Sequence, residues 1–310
     1  ILGVGALQVM LDKGQEDDWF GSHFILTLAV LAAGGLISLA IWEWFYKTPV
    51  VDVRLFKNLN FLGANGMMFI LGLMLFSSLV MMPLFLQSLM GYTAESAGLV
   101  LSGGGLLLLF MMPVVGVLTT KVQSRHLVAV GWLLLAFAMY YSTRHLDLLI
   151  SFGSAAWLRV VQVAGLGFLF VPINITSYIG MPQEKSNSVA GLINFMRNIG
   201  SSVGTSMVTT LIARRSQVHQ NYLVGNLTPG HPNFVGGTGA LTARLGAGGA
   251  NAVRAAQQSL ALFYRTVIVQ ATTLAYIDTF LVLAALAAIM FVLSFTLKKN
   301  HPGAQPVVLE

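Results

Sequence analysis

The chain has 310 residues, of which 56% are hydrophobic and only 9% are charged, and its net charge is +6. Soluble domains carry about 25% charged residues, so this composition excludes a globular enzyme with a short tail and predicts an all-α polytopic membrane protein. The basic residues are dispersed and form no run with interleaved aromatics, which argues against nucleic acid as a partner. Cysteine is absent, so disulfides and thiolate metal sites are excluded.

The first element is an apolar piece of about eleven residues that ends at Leu11. It is shorter than the roughly 20 residues that a spanning helix needs, and it lacks the basic flank and cleavage site of a signal peptide. We interpret it as the end of a truncated span in a fragment of a longer transporter. An artificial boundary of the sequence is the alternative.

Seven apolar runs of spanning length follow. They lie at 23–44, 61–86, 97–120, 127–143, 154–179, 188–213 and 271–297. The short loops at 45–60, 120–126 and 181–187, with the C-terminal tail, carry eight Lys or Arg residues, whereas the short loops on the other side carry two. This asymmetry predicts that the first set of loops and the tail are cytoplasmic.

The longest connection, at 214–270, is predicted to lie on the extracytoplasmic side. Its part at 221–249 is rich in Gly, Asn and Pro and is predicted to be irregular. From Asn251 a helical pattern begins and continues into the last span. The connection has no acidic residue, and two interpretations stay open: it contacts a partner or, as we favour, it lies against the membrane surface.

The run at 188–213 is predicted to be more than an anchor. Polar residues recur along it at steps of three or four and therefore share one helical face. They are Asn194, Asn198, Ser201, Thr205 and Thr209, with Arg197 beside them. Gly200 and Gly204 form a pair of small residues four apart, which predicts the close approach of a neighbouring helix.

Arg197 lies about ten residues into this span, roughly 15 Å deep by the helical rise and near the bilayer midplane. A charge at that depth costs at least ~2.5–3.5 kcal/mol, so Arg197 must face protein or water. The chain offers no carboxylate at this depth, so either water reaches the guanidinium or its counter-charge lies on helices outside this chain. We predict a functional role for Arg197, with Asn194, Asn198 and Thr205 as its polar neighbours.

Three further ionisable residues fall in the outer parts of predicted spans, namely Arg159, Asp278 and Glu95. The structural explanations are that Arg159 snorkels to the outer interface and that Asp278 caps the first part of a helix. The functional explanations are that Asp278 or Glu95 titrates in an outward-facing cavity, or that Asp278 pairs with Arg159. Both sets of explanations stay open.

Methionines crowd two successive spans. They are Met67, Met68, Met74, Met81, Met82, Met90, Met111 and Met112. Flexible thioethers such as those of Met68 and Met111 would suit the wall of a pocket that re-packs around varied apolar ligands. Gap filling in the helix bundle is the alternative that we favour.

No catalytic or nucleotide-binding motif occurs where the predicted strands or helices would suit it, so the chain is predicted not to be an enzyme. The SGGG run at 102–105 lies inside a span and predicts close packing or a bend rather than a phosphate cradle. The six His residues are scattered without metal-ligand spacing, so we expect neither a metal nor a cofactor.

Six sequence blocks together resemble the EmrB/QacA family of fourteen-span drug:proton antiporters in the major facilitator superfamily. They are LQVMLDKGQEDDWF from Leu7, PVVDVRLFKNLNF from Pro49, LFLQSLMGYTAESAGLVL from Leu84, PVVGVLTTKVQSRHLV from Pro113, NFMRNIGSSVGTS from Asn194 and LAYIDTF from Leu274. The blocks run in the order of the family and cover nearly the whole chain.

The resemblance implies that the chain corresponds to spans seven, truncated, to fourteen. Residues 1–60 would hold the truncated linker helix, the second linker helix and a cytoplasmic connector. Residues 61–213 would hold the helices of the C-terminal six-helix half, residues 214–270 a partly helical extracytoplasmic loop, residues 271–297 the last span, and residues 298–310 a cytoplasmic tail. The N-terminal half of the family, with the groups usually assigned to proton coupling, is missing, so this chain alone should not transport.

The resemblance also implies a function. The parent protein would export small lipophilic, often cationic, compounds by alternating access in the bacterial inner membrane, with the proton gradient as its energy source and no cofactor. Its partners would be the lipid bilayer, the missing N-terminal half and, in Gram-negative relatives, a periplasmic adaptor joined to an outer-membrane channel. The alternatives are a permease for one solute and a non-transporting scaffold that docks a partner through 214–270.

Overall fold

A computed structural model describes residues 1–46, 49, 52–225, 227, 232–249 and 251–299. Within these residues the chain forms nine α-helices and no strand, which confirms the all-α prediction. The helices are α1 (Leu2–Lys13), α2 (His23–Phe45), α3 (Leu59–Ser88), α4 (Ala94–Lys121), α5 (Ser124–His145), α6 (Phe152–Tyr178), α7 (Ser186–Gly225), α8 (Pro232–Ala247) and α9 (Ala252–Ser294). Lys47 and residues 300–310 of the predicted cytoplasmic tail lie outside the described residues.

Six of the described helices are long and apolar enough to cross a membrane, namely α2 to α6 and α9. Helix α1 has 12 residues and is too short to span, as expected. Helix α7 has ample length at 40 residues, but its polar stripe makes it less apolar than the other six. The polytopic fold is therefore confirmed, while the spanning role of α7 stays a prediction.

Glycines bring α3 and α7 into close contact. A methyl group at Gly204 would lie 2.5 Å from the carbonyl oxygen of Leu73, and one at Gly200 would collide with the carbonyl of Phe69. The contact is reciprocal, since a methyl group at Gly72 of α3 would collide with the carbonyl of Arg197 on α7. The predicted close approach at Gly200 and Gly204 is confirmed, and the helix that approaches is α3.

The SGGG run also serves close packing, as expected. A methyl group at Gly104 of α4 would lie 2.8 Å from Cγ2 of Val163 on α6. A similar crossing joins α5 to α6, where a methyl group at Gly165 would lie 2.7 Å from the backbone nitrogen of Leu135. These crossings hold α6 between α4 and α5.

The region predicted to be irregular is largely helical, so the prediction for 221–249 was wrong. Helix α7 continues to Gly225, and α8 forms at Pro232–Ala247. Tertiary packing overrides the weak helix propensity of the glycines. Phe234 of α8 meets Phe263 of α9 edge to face with the ring centroids 5.7 Å apart, and the hydroxyls of Thr242 and Ser259 are 2.8 Å apart.

The helix predicted from Asn251 onward is confirmed. The Asn251 side chain accepts a hydrogen bond from the backbone N–H of Val253, and α9 then runs without a break to Ser294. At 1.5 Å per residue, α7 and α9 are each roughly 60 Å long, about twice the thickness of the hydrocarbon core. Both helices therefore extend beyond the length that a single span requires.

Three of the segments predicted to be cytoplasmic meet at one end of the bundle. The ammonium group of Lys185 lies 2.5 Å from the carboxylate of Asp52, which joins the 181–187 loop to the 45–60 connector. Asn60 donates to the carbonyl of Thr176 at the end of α6 and accepts from the backbone N–H of Lys298. This arrangement agrees with the alternation of loops inferred from the charge count.

Candidate functional site

Helix α7 presents the predicted polar stripe on a face that the other described helices cover only in part, since α1 reaches its edge where the hydroxyl of Ser202 donates to Oε1 of Gln8. Asn194 and Asn198 are exposed, Arg197 is half-buried, and Thr205 is half-buried farther along the helix. The side chains of Asn194 and Thr205 hydrogen-bond to carbonyls of their own helix, at 3.0 Å and 3.1 Å respectively. The structure thus brings these candidates together on one side of the helix, and Arg197 borders the adjoining face, which packs on α3 through Gly200 and Gly204.

Arg197 lies against an aromatic ring. Its guanidinium carbon is 5.4 Å from the centre of the Phe170 ring on α6, within the range of a cation–π contact. Among the described residues no salt bridge includes Arg197. Within the described part of the chain, the Arg197 guanidinium therefore has a cation–π contact with Phe170 and no ion-pair partner.

Arg159 is buried, and it neither snorkels to the interface nor pairs with Asp278, so these two predictions were wrong. Its residue surface is 5% exposed. Nη1 donates to the hydroxyl of Ser78 at 3.0 Å and to Oε1 of Gln162 at 3.4 Å. Gln162 in turn donates to the hydroxyl of Ser142 at 2.9 Å. The physical reason is the helix packing, because α3 and α5 supply neutral hydroxyls to this side of α6.

The carboxylate of Asp278 accepts hydrogen bonds from two basic side chains of α7. Its Oδ2 lies 2.7 Å from Nε and 2.6 Å from Nη2 of Arg215, and 2.6 Å from Nε2 of His219. The capping explanation was wrong because α9 begins at Ala252, many turns before Asp278.

Arg215 and His219 were not predicted as functional residues, because the apolar run of this span ends at 213. Helix α7 continues past that point, so the two residues, four apart, share a face that is turned to α9. The four-residue spacing of these two residues could have indicated a shared helical face. It was not used because both residues were assigned to a loop.

Glu95 lies in the first turn of α4 and is exposed, without a contact to Arg159 or Arg197. Thr93 caps the same helix by accepting from the backbone N–H of Ser96 at 3.2 Å. A carboxylate at a helix N-terminus is favourable by itself, so this position has a local structural reason. The structure does not bring Glu95 together with the other candidates.

The methionines of α3 are core residues. At most 1% of the residue surface is exposed in each of Met67, Met68, Met74, Met81 and Met82. Met111 of α4 is half-buried and packs on α6, where a methyl group at Gly167 would lie 3.2 Å from its Cε. These positions support the gap-filling explanation, and Met68 lines no open surface among the described residues.

Among the described residues, no three His, Asp or Glu side chains lie close enough together to hold a metal ion. His231 and His301 lie outside the described residues. Among the described His residues, His219 has a charged partner, which is the carboxylate of Asp278.

A bundle of helices in which six of the described ones are long and apolar enough to cross a membrane defines a polytopic membrane protein. The family model described as Major Facilitator Superfamily matches residues 17–205, more than half of the chain. The chain belongs to the Major Facilitator Superfamily.

Similar proteins carry the names of drug exporters. The chain is 32% identical over 233 residues to "Multidrug export protein EmrB" of Escherichia coli K12, an alignment that covers 75% of this chain and 46% of that protein. It is 36% identical over 232 residues to the EmrB protein of Haemophilus influenzae, covering 75% and 46%. It is also 36% identical over 232 residues to "Fatty acid resistance protein FarB" of Neisseria gonorrhoeae, covering 74% and 45%. The resemblance to EmrB-type proteins is confirmed, and the chain spans about half the length of these relatives.

Proposed function

We propose that this chain is the C-terminal half of a proton-coupled multidrug efflux transporter that exports lipophilic compounds by alternating access. The observation that carries the proposal is the similarity over three-quarters of the chain to proteins named for multidrug export. The names of the relatives cover drugs and fatty acids, which favours a broad range of lipophilic substrates over a permease for one solute.

The open face of α7 is the part of the site that this proposal uses. In alternating access, two halves rock about a site near the midplane, and polar groups facing that site must be satisfied by water, substrate or the other half. Arg197 supplies a charge on such a face, and Asn194 and Asn198 beside it are exposed. The counter-charge for Arg197 then comes from the other half of the transporter or from the solute.

The setting that we propose for the transporter is the one that its resemblance to EmrB-type proteins implies. It is a multi-pass protein of a bacterial inner membrane, it takes its energy from the proton gradient, and it binds no cofactor. A periplasmic adaptor joined to an outer-membrane channel is the proposed partner assembly in a Gram-negative cell. Export of several unrelated dyes from cells that express the full-length protein would separate this function from a permease specific for one solute.

The decisive variant is Arg197→Ala in the full-length protein. We expect drug resistance to be lost while membrane abundance stays normal, because the side chain lies on an open face and anchors no salt bridge among the described residues. The assay is growth in a series of lipophilic drugs, with abundance measured by immunoblot. Arg254→Ala, at the exposed start of α9, is the matched control and should keep resistance. Unchanged resistance in Arg197→Ala would remove the role assigned to this residue.

A further inference from the structure

A cavity of about 270 Å³ opens between α7 and α9, beside the contact of Asp278 with Arg215. Leu211 and Arg215 line it from α7, and Asp278, Leu281 and Val282 line it from α9. Leu281 and Val282 are 50% and 45% exposed, so the other described helices leave this apolar wall uncovered. The cavity therefore combines one positive charge, one negative charge and an open apolar wall.

The two charged groups at this cavity use only part of their hydrogen-bonding capacity. Nε and Nη2 of Arg215 and Nε2 of His219 all lie within 2.7 Å of the same oxygen, Oδ2 of Asp278. Among the described residues no hydrogen bond includes Oδ1 of Asp278 or Nη1 of Arg215. One anionic acceptor and one cationic donor are therefore left for a ligand that carries both charges.

The charged end of the cavity lies near the outer boundary of the bilayer in the predicted topology. By the helical rise, Asp278 is about 24 Å from the cytoplasmic end of α9 at Ser294, which is most of the roughly 30 Å thickness of the hydrocarbon core. Arg215 agrees with this level, because it directly follows the apolar run at 188–213. Both charges are thus placed where the headgroups of the extracytoplasmic leaflet begin.

The apolar wall lies deeper than the charges. The two helices are antiparallel, since the contacts of α7 move toward the start of α9 as α7 proceeds. Leu211 lies one turn before Arg215, and Leu281 and Val282 lie about one turn after Asp278, so all three are on the cytoplasmic side of the charged pair. This order, charges at the rim and apolar side chains below, matches a phospholipid that enters from the extracytoplasmic leaflet.

We propose that this cavity binds a phospholipid with a zwitterionic headgroup and a primary ammonium group, namely phosphatidylethanolamine of the extracytoplasmic leaflet. Its phosphate accepts from Nη1 of Arg215, and its ammonium group donates to Oδ1 of Asp278, both through charge-assisted hydrogen bonds. An anionic headgroup would leave the carboxylate without a cation, and a quaternary ammonium headgroup has no N–H to donate. The inference goes beyond the proposed export function, because lipid binding requires no transport.

The test measures the binding of lipids to the delipidated full-length protein by native mass spectrometry. The probes are phosphatidylethanolamine, phosphatidylcholine and phosphatidylglycerol with identical acyl chains. We expect phosphatidylethanolamine to bind at least about fivefold more tightly than the other two, because it matches both charged atoms with hydrogen bonds that water partly screens. Asp278→Asn should lower its affinity to that of phosphatidylcholine. Asp17→Asn, which changes an exposed carboxylate in none of the described salt bridges, should leave the preference intact.

A second pair of variants tests the apolar wall and keeps the experiment decisive if Asp278→Asn fails to fold. Val282→Trp places a large ring in the cavity without altering the charged groups, and its exposed position should tolerate the change. We expect it to weaken the binding of phosphatidylethanolamine at least about fivefold, because the ring and an acyl chain would occupy the same volume. Val292→Trp is the matched control, at a 65% exposed position of the same helix that does not line the cavity, and should bind as the wild type does.

Equal affinity of the wild type for the three lipids would overturn the inference. An affinity for phosphatidylethanolamine that is unchanged in Asp278→Asn or in Val282→Trp would overturn it as well. Dye export by the full-length protein is measured in a separate assay, so a failure of the lipid site and a failure of the proposed function are distinguishable.

Discussion

At the scale of single residues, the two arginines that the sequence places within predicted spans have different surroundings. Arg159 is enclosed by neutral hydroxyl and amide groups from three helices, whereas Arg197 stands at an open face above the ring of Phe170. The difference follows from which sides of α6 and α7 are packed. A buried cation must collect hydrogen bonds from its neighbours, while a cation at an open face can be hydrated.

The third ionisable site is the contact of Asp278 on α9 with Arg215 and His219 on α7. We predict that Asp278→Asn lowers the free energy of unfolding by up to about 1 kcal/mol, because it weakens charge-assisted hydrogen bonds that solvent partly screens. The side chain of Arg215 is 45% exposed, which keeps the effect small. The measurement is thermal unfolding of the purified protein in detergent.

A double-mutant cycle makes this prediction specific. Arg215→Gln should destabilise less than Asp278→Asn, because Asp278 keeps its contact with His219 in that variant. The two effects should be less than additive, because both changes remove the contact between Arg215 and Asp278. Asp17→Asn, which changes an exposed carboxylate in none of the described salt bridges, is the control. Fully additive effects of Asp278→Asn and Arg215→Gln would show that these two residues are not coupled in the folded protein.

At the scale of elements, the crossing of α3 and α7 depends on glycines, whose lack of a side chain lets the two backbones approach closely. We predict that Gly204→Val lowers the free energy of unfolding by about 1–3 kcal/mol, since its Cβ alone would meet the Leu73 carbonyl at 2.5 Å and force the helices apart. Gly191→Ala on the same helix is the matched control, because a methyl group there meets nothing within 4 Å. Thermal unfolding and membrane abundance would show the difference, and equal stability of the two variants would contradict it.

Also at this scale, the helical extension at the start of α9 was predicted from the sequence, whereas the extension of α7 beyond residue 213 was not. The pattern that begins at Asn251 has regular apolar spacing and a capping side chain, so it was visible in the sequence. Helix α8 contains Gly236, Gly237 and Gly239, which are typical of loops. Its stability comes from the contact of Gly237 and Phe234 with Phe263, a partner that lies far along the chain.

At the scale of the whole molecule, the orientation in the membrane can be tested directly. The chain has no cysteine, so single cysteines report their own side. We predict that Val235→Cys on α8 reacts with a membrane-impermeant maleimide in intact cells, whereas Gln183→Cys, in the 181–187 loop, reacts only after the membrane is opened. Both side chains are exposed, and any cysteine outside these 310 residues would first be replaced by Ser. The reverse labelling pattern would invert the assigned topology.

How much the sequence determined depends on how local each feature is. Composition, the spacing of apolar runs and the pair Gly200 and Gly204 act within one helix, so membrane class, helical fold and close packing could all be predicted from them. The neighbours of a polar side chain depend on which helices pack around it. For this reason the environments of Arg159 and Asp278 were wrongly predicted.

The sequence by itself therefore determined an all-α membrane protein, its resemblance to EmrB-type transporters, and the polar stripe of α7. Only the tertiary structure decided that α7 packs on α3, that α8 is a helix, and which groups surround each buried charge. The physical reason is that hydropathy and helical periodicity are properties of short segments, whereas the solvation of a charge inside a bundle depends on residues brought together from distant parts of the chain.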